Sequence, residues 1–282
     1  MLIVRSHGQL GNQIFHILGA LTVLRPKEKL ILFGFGELLE LLPNLTSEHL
    51  IIPIPNRFSR NLKFIERWLR RLARRGIIGR ANYGSESKEL TRTDGRLSPT
   101  LFDAGNAQNY SVINERVRRD FFRRLVNDLS LPGYPIGEKT AELRCFVHIR
   151  RGDYLSHPSV EENIAIPDLW FLRQMSRITK QHRQVEFLLY SDDASSLSDE
   201  ILSFGKTQVR HVDTITAFRE MALADMGILS ASTFSWWSAM LADHRGAPGP
   251  FIGPKYWVGW RRGVWEPEGY ISDAVTYVDV DG

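Results

Sequence analysis

The sequence lacks the features that most readily announce a function. Cys145 is its only cysteine, so no disulfide can form within the chain and a reducing compartment is expected. No apolar run reaches the length of a membrane span. Arg5 and His7 interrupt the first apolar residues, so no signal peptide is expected. Charge of one sign is not in large excess: 36 Lys and Arg against 32 Asp and Glu leave +4. That balance suits an anionic ligand without arguing for nucleic acid. There is no internal repeat. A cytoplasmic protein is expected.

What is present is a core. A hydrophobic content of 43% and a charged content of 24% fit a globular protein of one large or two ordinary domains. The segment Leu131-Pro-Gly-Tyr-Pro-Ile-Gly137 is rich in chain breakers and reads as a boundary. It divides the chain into 1–136 and 137–282. In the first part, strand Leu2–Val4 runs into the glycine loop Ser6–Gln13, and Ile14, Phe15, Ile17, Leu18 and Leu21 follow at helical spacing. Such a loop can bring backbone N–H groups to an anion. It serves equally well as a turn needing positive φ. Residues 81–100 are polar and read as loop. In the second part strands and helices alternate, which argues for a parallel sheet covered on both faces. There Pro167 opens a helix with Leu169, Leu172, Met175 and Ile178 inward, and a further helix is expected over 195–204.

Between Arg57 and Arg80 lies the basic run: nine Arg and Lys against one acid, Glu66. Leu62, Ile65, Leu69 and Leu72 share one helical face. A basic amphipathic helix can touch anionic lipid, so peripheral membrane contact is one expectation. A helix packed on its domain with a solvated basic face is the other. Nucleic acid is not expected as a partner, because no aromatic stacking platform or DNA-reading module accompanies the run.

The stretch with the most chemistry is Leu143–Tyr154. Its apolar run, Cys145 to Val147 with Ile149, reads as a buried strand that ends in Arg150, Arg151, Gly152 and Asp153. Ligands of open α/β sheets sit outside the carboxyl ends of strands. Two arginines and a carboxylate there suggest an anion site with an acid or base beside it. A solvated Arg–Asp pair would leave the same pattern. Two more strands of this half end in polar clusters, Ser191-Asp192-Asp193 and Ser232-Thr233, on the same edge. Ser232 or Thr233 can cap the helix carrying Trp236 and Trp237, whose dipole would face the same crevice. Asp192 and Asp193 could also be plain helix caps. Asp279-Val280-Asp281 has a spacing used for metal, but at a frayed terminus it reads as solvated tail.

Four segments in order, Gly8-Gln-Leu-Gly-Asn-Gln-Ile-Phe15, Val147-His-Ile-Arg-Arg-Gly-Asp-Tyr154, Tyr190-Ser-Asp-Asp193 and Ser232-Thr-Phe-Ser-Trp-Trp-Ser-Ala239, closely resemble the α-1,2-fucosyltransferases of glycosyltransferase family 11. Pro254-Lys-Tyr-Trp257 resembles a later segment of that family. The resemblance implies a GT-B fold, α/β with two Rossmann-like domains and parallel sheets facing a cleft. It places the acceptor side in 1–136 and the GDP-sugar side in 137–282. It implies inverting transfer of L-fucose from GDP-fucose to the 2-hydroxyl of a terminal β-galactoside, the alternatives being an α-1,6 link or another nucleotide sugar on the same fold, or a non-enzymatic basic module for an anionic polymer or membrane. The acceptor would be a galactose-ended oligosaccharide or lipid-linked glycan of the cell surface, such as an O-antigen. Neither a metal nor a further cofactor is implied. By motif position Arg150 grips the β-phosphate, with Arg151 and Asp192 beside it and His148 near the guanosine. Ser232, Thr233 and Phe234 line the diphosphate and nucleoside, and Gly8, Gly11 and Asn12 close the donor site from the first domain. Asp153 is the candidate base for the acceptor hydroxyl, with His157 second. Trp257, Trp260 and Trp265 could stack on sugar or pack in the core. One departure stands out: Thr216–Asp225 lacks the family's usual residues, which leaves Glu220 or Asp213 as candidate readers of guanine.

Overall fold

The computed structural model describes residues 1–45, 51–54, 59–84, 89–103, 108–133, 142–159 and 162–281. The chain forms two compact units, Met1–Leu129 and Ser130–Gly282. Each is built on one six-stranded, mainly parallel sheet. Residues 134–137 of the segment expected to join them lie outside the described residues.

In the first unit the strands are β1 (Leu2–Arg5), β2 (Leu30–Phe33), β3 (Ile51–Ile54), β4 (Ile78–Gly84), β5 (Glu89–Thr93) and β6 (Leu97–Asp103), in the order β3-β2-β1-β6-β4-β5. All pairings are parallel except β4 with β5. Helix α1 (Leu10–Val23) buries Leu10, Ile14, Phe15, Ile17 and Leu18 completely. Gly11 therefore lies inside the helix rather than in the loop before it. A short α2 (Gly36–Leu41) follows β2. Helix α3 (Ser59–Arg74) packs Leu69, Leu72 and Ala73 against Ile3, Ile78 and Leu101 of the sheet. Helix α4 (Glu115–Asp128) is capped by Asn114, whose Oδ1 accepts from the Arg116 N–H at 2.9 Å. The loop expected over 81–100 is instead most of a hairpin and a further strand. Its polar residues fit because β5 is an outer strand with alternate residues exposed, and polar alternation carries no strong apolar signal.

In the second unit the strands are β7 (Leu143–Ile149), β8 (Val185–Ser191), β9 (Lys206–Val209), β10 (Met226–Ile228), β11 (Phe251–Pro254) and β12 (Thr276–Val278). Their order is β12-β11-β10-β7-β8-β9, all parallel. This is a doubly wound order, and it reverses direction between β7 and β10. Cys145, Val147 and Ile149 point to one face, where Trp170, Phe171, Met175 and Ile178 of α5 (Asp168–Gln181) cover them. Phe146 and His148 point to the other, under Phe251 and Phe234. The inner side of α5 differs from the expected one. Trp170, Phe171 and Gln174 are buried, whereas Leu169 is 56% exposed.

The helix expected over 195–204 shrinks to α6 (Asp199–Leu202) after a 3-10 turn. Ser195 donates to Asp193 Oδ1 at 2.6 Å and Ser196 to the Asp193 carbonyl at 2.8 Å, and such local bonds compete with helix. Helices α7 (Thr214–Leu223) and α8 (Thr233–His244) complete the unit. The carboxyl-terminal stretch is not a frayed tail. β12 pairs with β11, Val280 is buried, and Asp279 meets Lys255 at 3.2 Å.

Candidate active site

Register brings the charged turns together. His148 of β7 lies opposite Tyr190 of β8, and Ile149 opposite Ser191, while Val147 lies opposite Ile228 of β10. The residues that follow, Arg150, Asp192 and Ser230, therefore leave three neighbouring strands at one carboxyl edge. That edge includes the place between β7 and β10 where strand order reverses, which is where such sheets bind ligands.

Arg150 is the centre of this edge. Its guanidinium meets Asp153 Oδ1 at 2.8 Å and Asp192 Oδ2 at 3.0 Å, and lies 5.6 Å from the centre of the Tyr154 ring. Asp192 also accepts the Arg151 backbone N–H at 2.7 Å. Asp153 is 69% exposed against 27% for Asp192, so the turn holds one carboxylate in place and offers the other to solvent. Asp193 is engaged by Ser195, as a local cap would be.

Arg151 has a different task. It is 4% exposed, donates to the Ile166 carbonyl at 2.8 Å and pairs with Asp168. Asp168 in turn accepts the Ser198 N–H at 2.8 Å. This second arginine ties the turn to the start of α5. The sequence does not separate the two arginines, and Asp168 is not among the expected site residues. Its position just after Pro167, in the first turn of α5, is the signal that could have found it.

On the other side of β7, Ser232 caps α8, its side chain accepting from the Phe234 N–H at 3.4 Å. Ser232, Thr233 and Phe234 are half-buried at the start of that helix. Tyr154 donates to the Ala231 carbonyl at 2.8 Å and so joins the arginine turn to the serine turn. Burial raises the Tyr154 pKa to about 12, which keeps this donor protonated. His148 is inside, 7% exposed, with Nδ1 2.9 Å from Ser230 Oγ and its ring 5.6 Å from that of Phe234. Burial, then the Arg150 charge, lowers its pKa to about 3, so the imidazole is neutral.

Neither candidate guanine reader stands unengaged. Glu220 accepts from Tyr190 at 2.8 Å and from Arg210 Nε at 3.0 Å. Its pKa is lowered, first by the Arg210 hydrogen bond. Asp213 caps α7 through the Thr216 N–H at 2.9 Å. Trp236, Trp237, Trp257 and Trp260 are core residues. Trp265 is half-buried, edge-on to Tyr256 and Tyr277. His157 precedes the cis proline Pro158.

The first unit has its own edge site, where its strand order turns between β1 and β6. Gly8 has φ +87, and a Cβ there would lie 2.4 Å from Asn12 Nδ2. The conformation therefore favours glycine, and a side chain there would displace the Asn12 amide. Gln13 fixes the loop by donating to the Gly8 carbonyl at 3.3 Å and accepting from the Leu38 N–H at 2.9 Å. Beside it, Arg5, His7 and Arg70 surround Glu66, with His7 Nε2 at 3.3 Å and Arg70 at 2.8 Å. Arg70 also meets Asp103 at 3.0 Å. Burial and the neighbouring Arg5 and Arg70 lower the His7 pKa. These charges come from β1, α3 and β6, and nothing in the linear sequence links them.

Residues 114–247 match the family model described as glycosyl transferase family 11. No curated protein matches the chain by sequence. Among solved structures, the α-1,6-fucosyltransferase NodZ co-crystallised with GDP is 14% identical over 85% of this chain and 91% of its own, with a TM-score of 0.47. The fucosyltransferase NodZ from Bradyrhizobium gives 14%, the same coverage and 0.48. POFUT1 in complex with GDP gives 13% over 89% of this chain and 98% of its own, with 0.46.

Proposed function

With residues 114–247 matching glycosyl transferase family 11, the family its motifs resemble, we propose that this protein transfers L-fucose from GDP-fucose, with inversion and without a metal, to the 2-hydroxyl of a terminal β-galactoside. The acceptor oxygen attacks the anomeric carbon. The bond from that carbon to the β-phosphate oxygen breaks, and its electron pair leaves with GDP. The hydroxyl proton passes to a carboxylate, for which Asp153 is the candidate.

The observation that carries this reading is the place of Arg150. It follows β7 at the strand-order reversal, and Tyr154, whose ring it overlies, donates to Ala231 just before the capped N-terminus of α8. GDP gains a negative charge as the bond breaks, and a fixed cation with a helix dipole stabilises that charge where it develops. Asp192 orients the guanidinium at 3.0 Å, and Asp153 shares it at 2.8 Å. A phosphate arriving at Arg150 takes over from the exposed Asp153 and frees that carboxylate to receive a proton.

The test is a mass assay with EDTA present. The protein is incubated with a panel of nucleotide sugars and galactose-ended disaccharides, and the product linkage is read by NMR. Fucose transfer from GDP-fucose to the 2-hydroxyl is expected. Transfer to a 6-hydroxyl, or from another donor, replaces the specific reading while keeping a glycosyltransferase.

A further inference from the structure

We propose that the outward face of α3 docks this protein on an anionic lipid bilayer. The inference does not rest on the proposed reaction.

The basic run divides by face. Glu66 and Arg70 point into the charged cluster with Arg5, His7 and Asp103. Leu69, Leu72 and Ala73 pack on the sheet. At about 100° per residue, Phe64, Trp68 and Arg71 fall within roughly 60° of one another on the outward side, and Arg75, just past the end of α3, is tied to that side by its N–H to the Arg71 carbonyl at 3.3 Å. Arg67 and Arg74 adjoin them. Phe64 is 73% exposed, Trp68 55% and Ile65 40%. All four of Arg67, Arg71, Arg74 and Arg75 are exposed. Among the described residues, none of the four has an acidic partner within ion-pair distance.

Two exposed aromatics along the flank of an arginine-rich face are a poor arrangement for water alone. Apolar side chains on a packed helix ordinarily turn inward, as Leu69 and Leu72 do. An anionic bilayer accepts both parts of the face at once. Its headgroups attract the arginines, and the boundary beneath them takes Trp68 and Phe64. A polyanion in solution matches only the charges. Each arginine held at an anionic surface strengthens binding roughly five-fold, so four of them with two buried aromatics suffice for reversible docking. Among the described residues no helix is long and apolar enough to cross a membrane, so the contact made by α3 is a surface one.

The experiment is co-sedimentation of the full chain with phosphatidylcholine vesicles, and with vesicles in which a third of the lipid is phosphatidylglycerol. Binding at least ten-fold stronger to the second is expected. The double variant Arg71→Glu/Arg75→Glu should lose at least ten-fold. Phe64→Ser/Trp68→Ser, at unchanged charge, should lose a comparable amount. All four positions are exposed, and an unchanged circular dichroism spectrum shows that the variants fold. Equal binding to both vesicle types overturns the proposal, as does full binding by either variant. Retention on heparin or single-stranded DNA without vesicle binding overturns it in favour of a soluble polyanion.

Discussion

The Asp192 carboxylate occupies the space that a side chain at Gly152 would need. A Cβ built on Gly152 would lie 2.4 Å from Asp192 Oδ2, and the glycine has φ +25. The same carboxylate receives the Arg151 N–H and orients Arg150. Gly152→Ala is therefore expected to push Asp192 aside. Backbone strain of this kind costs on the order of 1–3 kcal/mol. Calorimetry should show a lower unfolding midpoint, and, on the proposed function, titration should show GDP affinity weakened by about ten-fold, the equivalent of roughly 1.4 kcal/mol.

Arg150 and Arg151 should fail in opposite ways. Arg150→Ala removes the cation at the edge of the sheet and, on the proposed function, is expected to lower kcat for fucose transfer by about a hundred-fold or more. Its unfolding midpoint should stay near that of the wild type. Arg150→Lys should recover part of the rate, since a point charge replaces a two-pronged donor.

Arg151→Met, by contrast, leaves Asp168 without its cation. Breaking a buried pair from one side costs roughly 3–5 kcal/mol, at the lower end here because Asp168 is 23% exposed. A clear fall in the denaturant midpoint is expected. The second replacement Asp168→Asn in the same chain should restore part of it.

Two buried histidines make stability depend on pH. Burial lowers His148 to about 3 and His16 to about 4, from an ordinary 6.5. Between those values the unfolded chain takes up protons that the folded chain does not. Their contribution is thus fully present above pH 6.5 and falls as pH drops toward 4, by roughly 1.4 kcal/mol per unit for each histidine. Unfolding midpoints measured across this range should show a shallower slope in His148→Gln than in the wild type.

The polar edge of the second sheet is legible in the sequence because burial marks the strands that lead to it. The short apolar run Cys145–Ile149 reads as a buried strand, and charges directly after it then sit at the strand's end. The Ser232 cap is legible for the same reason. What cannot be read is whatever depends on a distant partner. Arg150 and Arg151 are adjacent and chemically alike, and only Asp168, 17 residues on from Arg151, gives them different tasks. The Arg5–His7–Glu66–Asp103 cluster draws on three separated elements. Strand β5 escapes a reading by pattern because it lies at the edge of its sheet and keeps half its residues in water. Leu169 shows the converse error: its helical spacing marks it as core, yet Trp170 and Phe171 take the inner face.

The Tyr154–Ala231 bond has a consequence for binding. It fastens the turn after β7 to the turn after β10 at 2.8 Å, so the two cannot drift apart without breaking a hydrogen bond in a half-buried place. The cost of ordering both turns is met when the chain folds, not when a ligand arrives. The diphosphate of the proposed donor would meet a ready-made seat here, and more of each contact would appear as affinity.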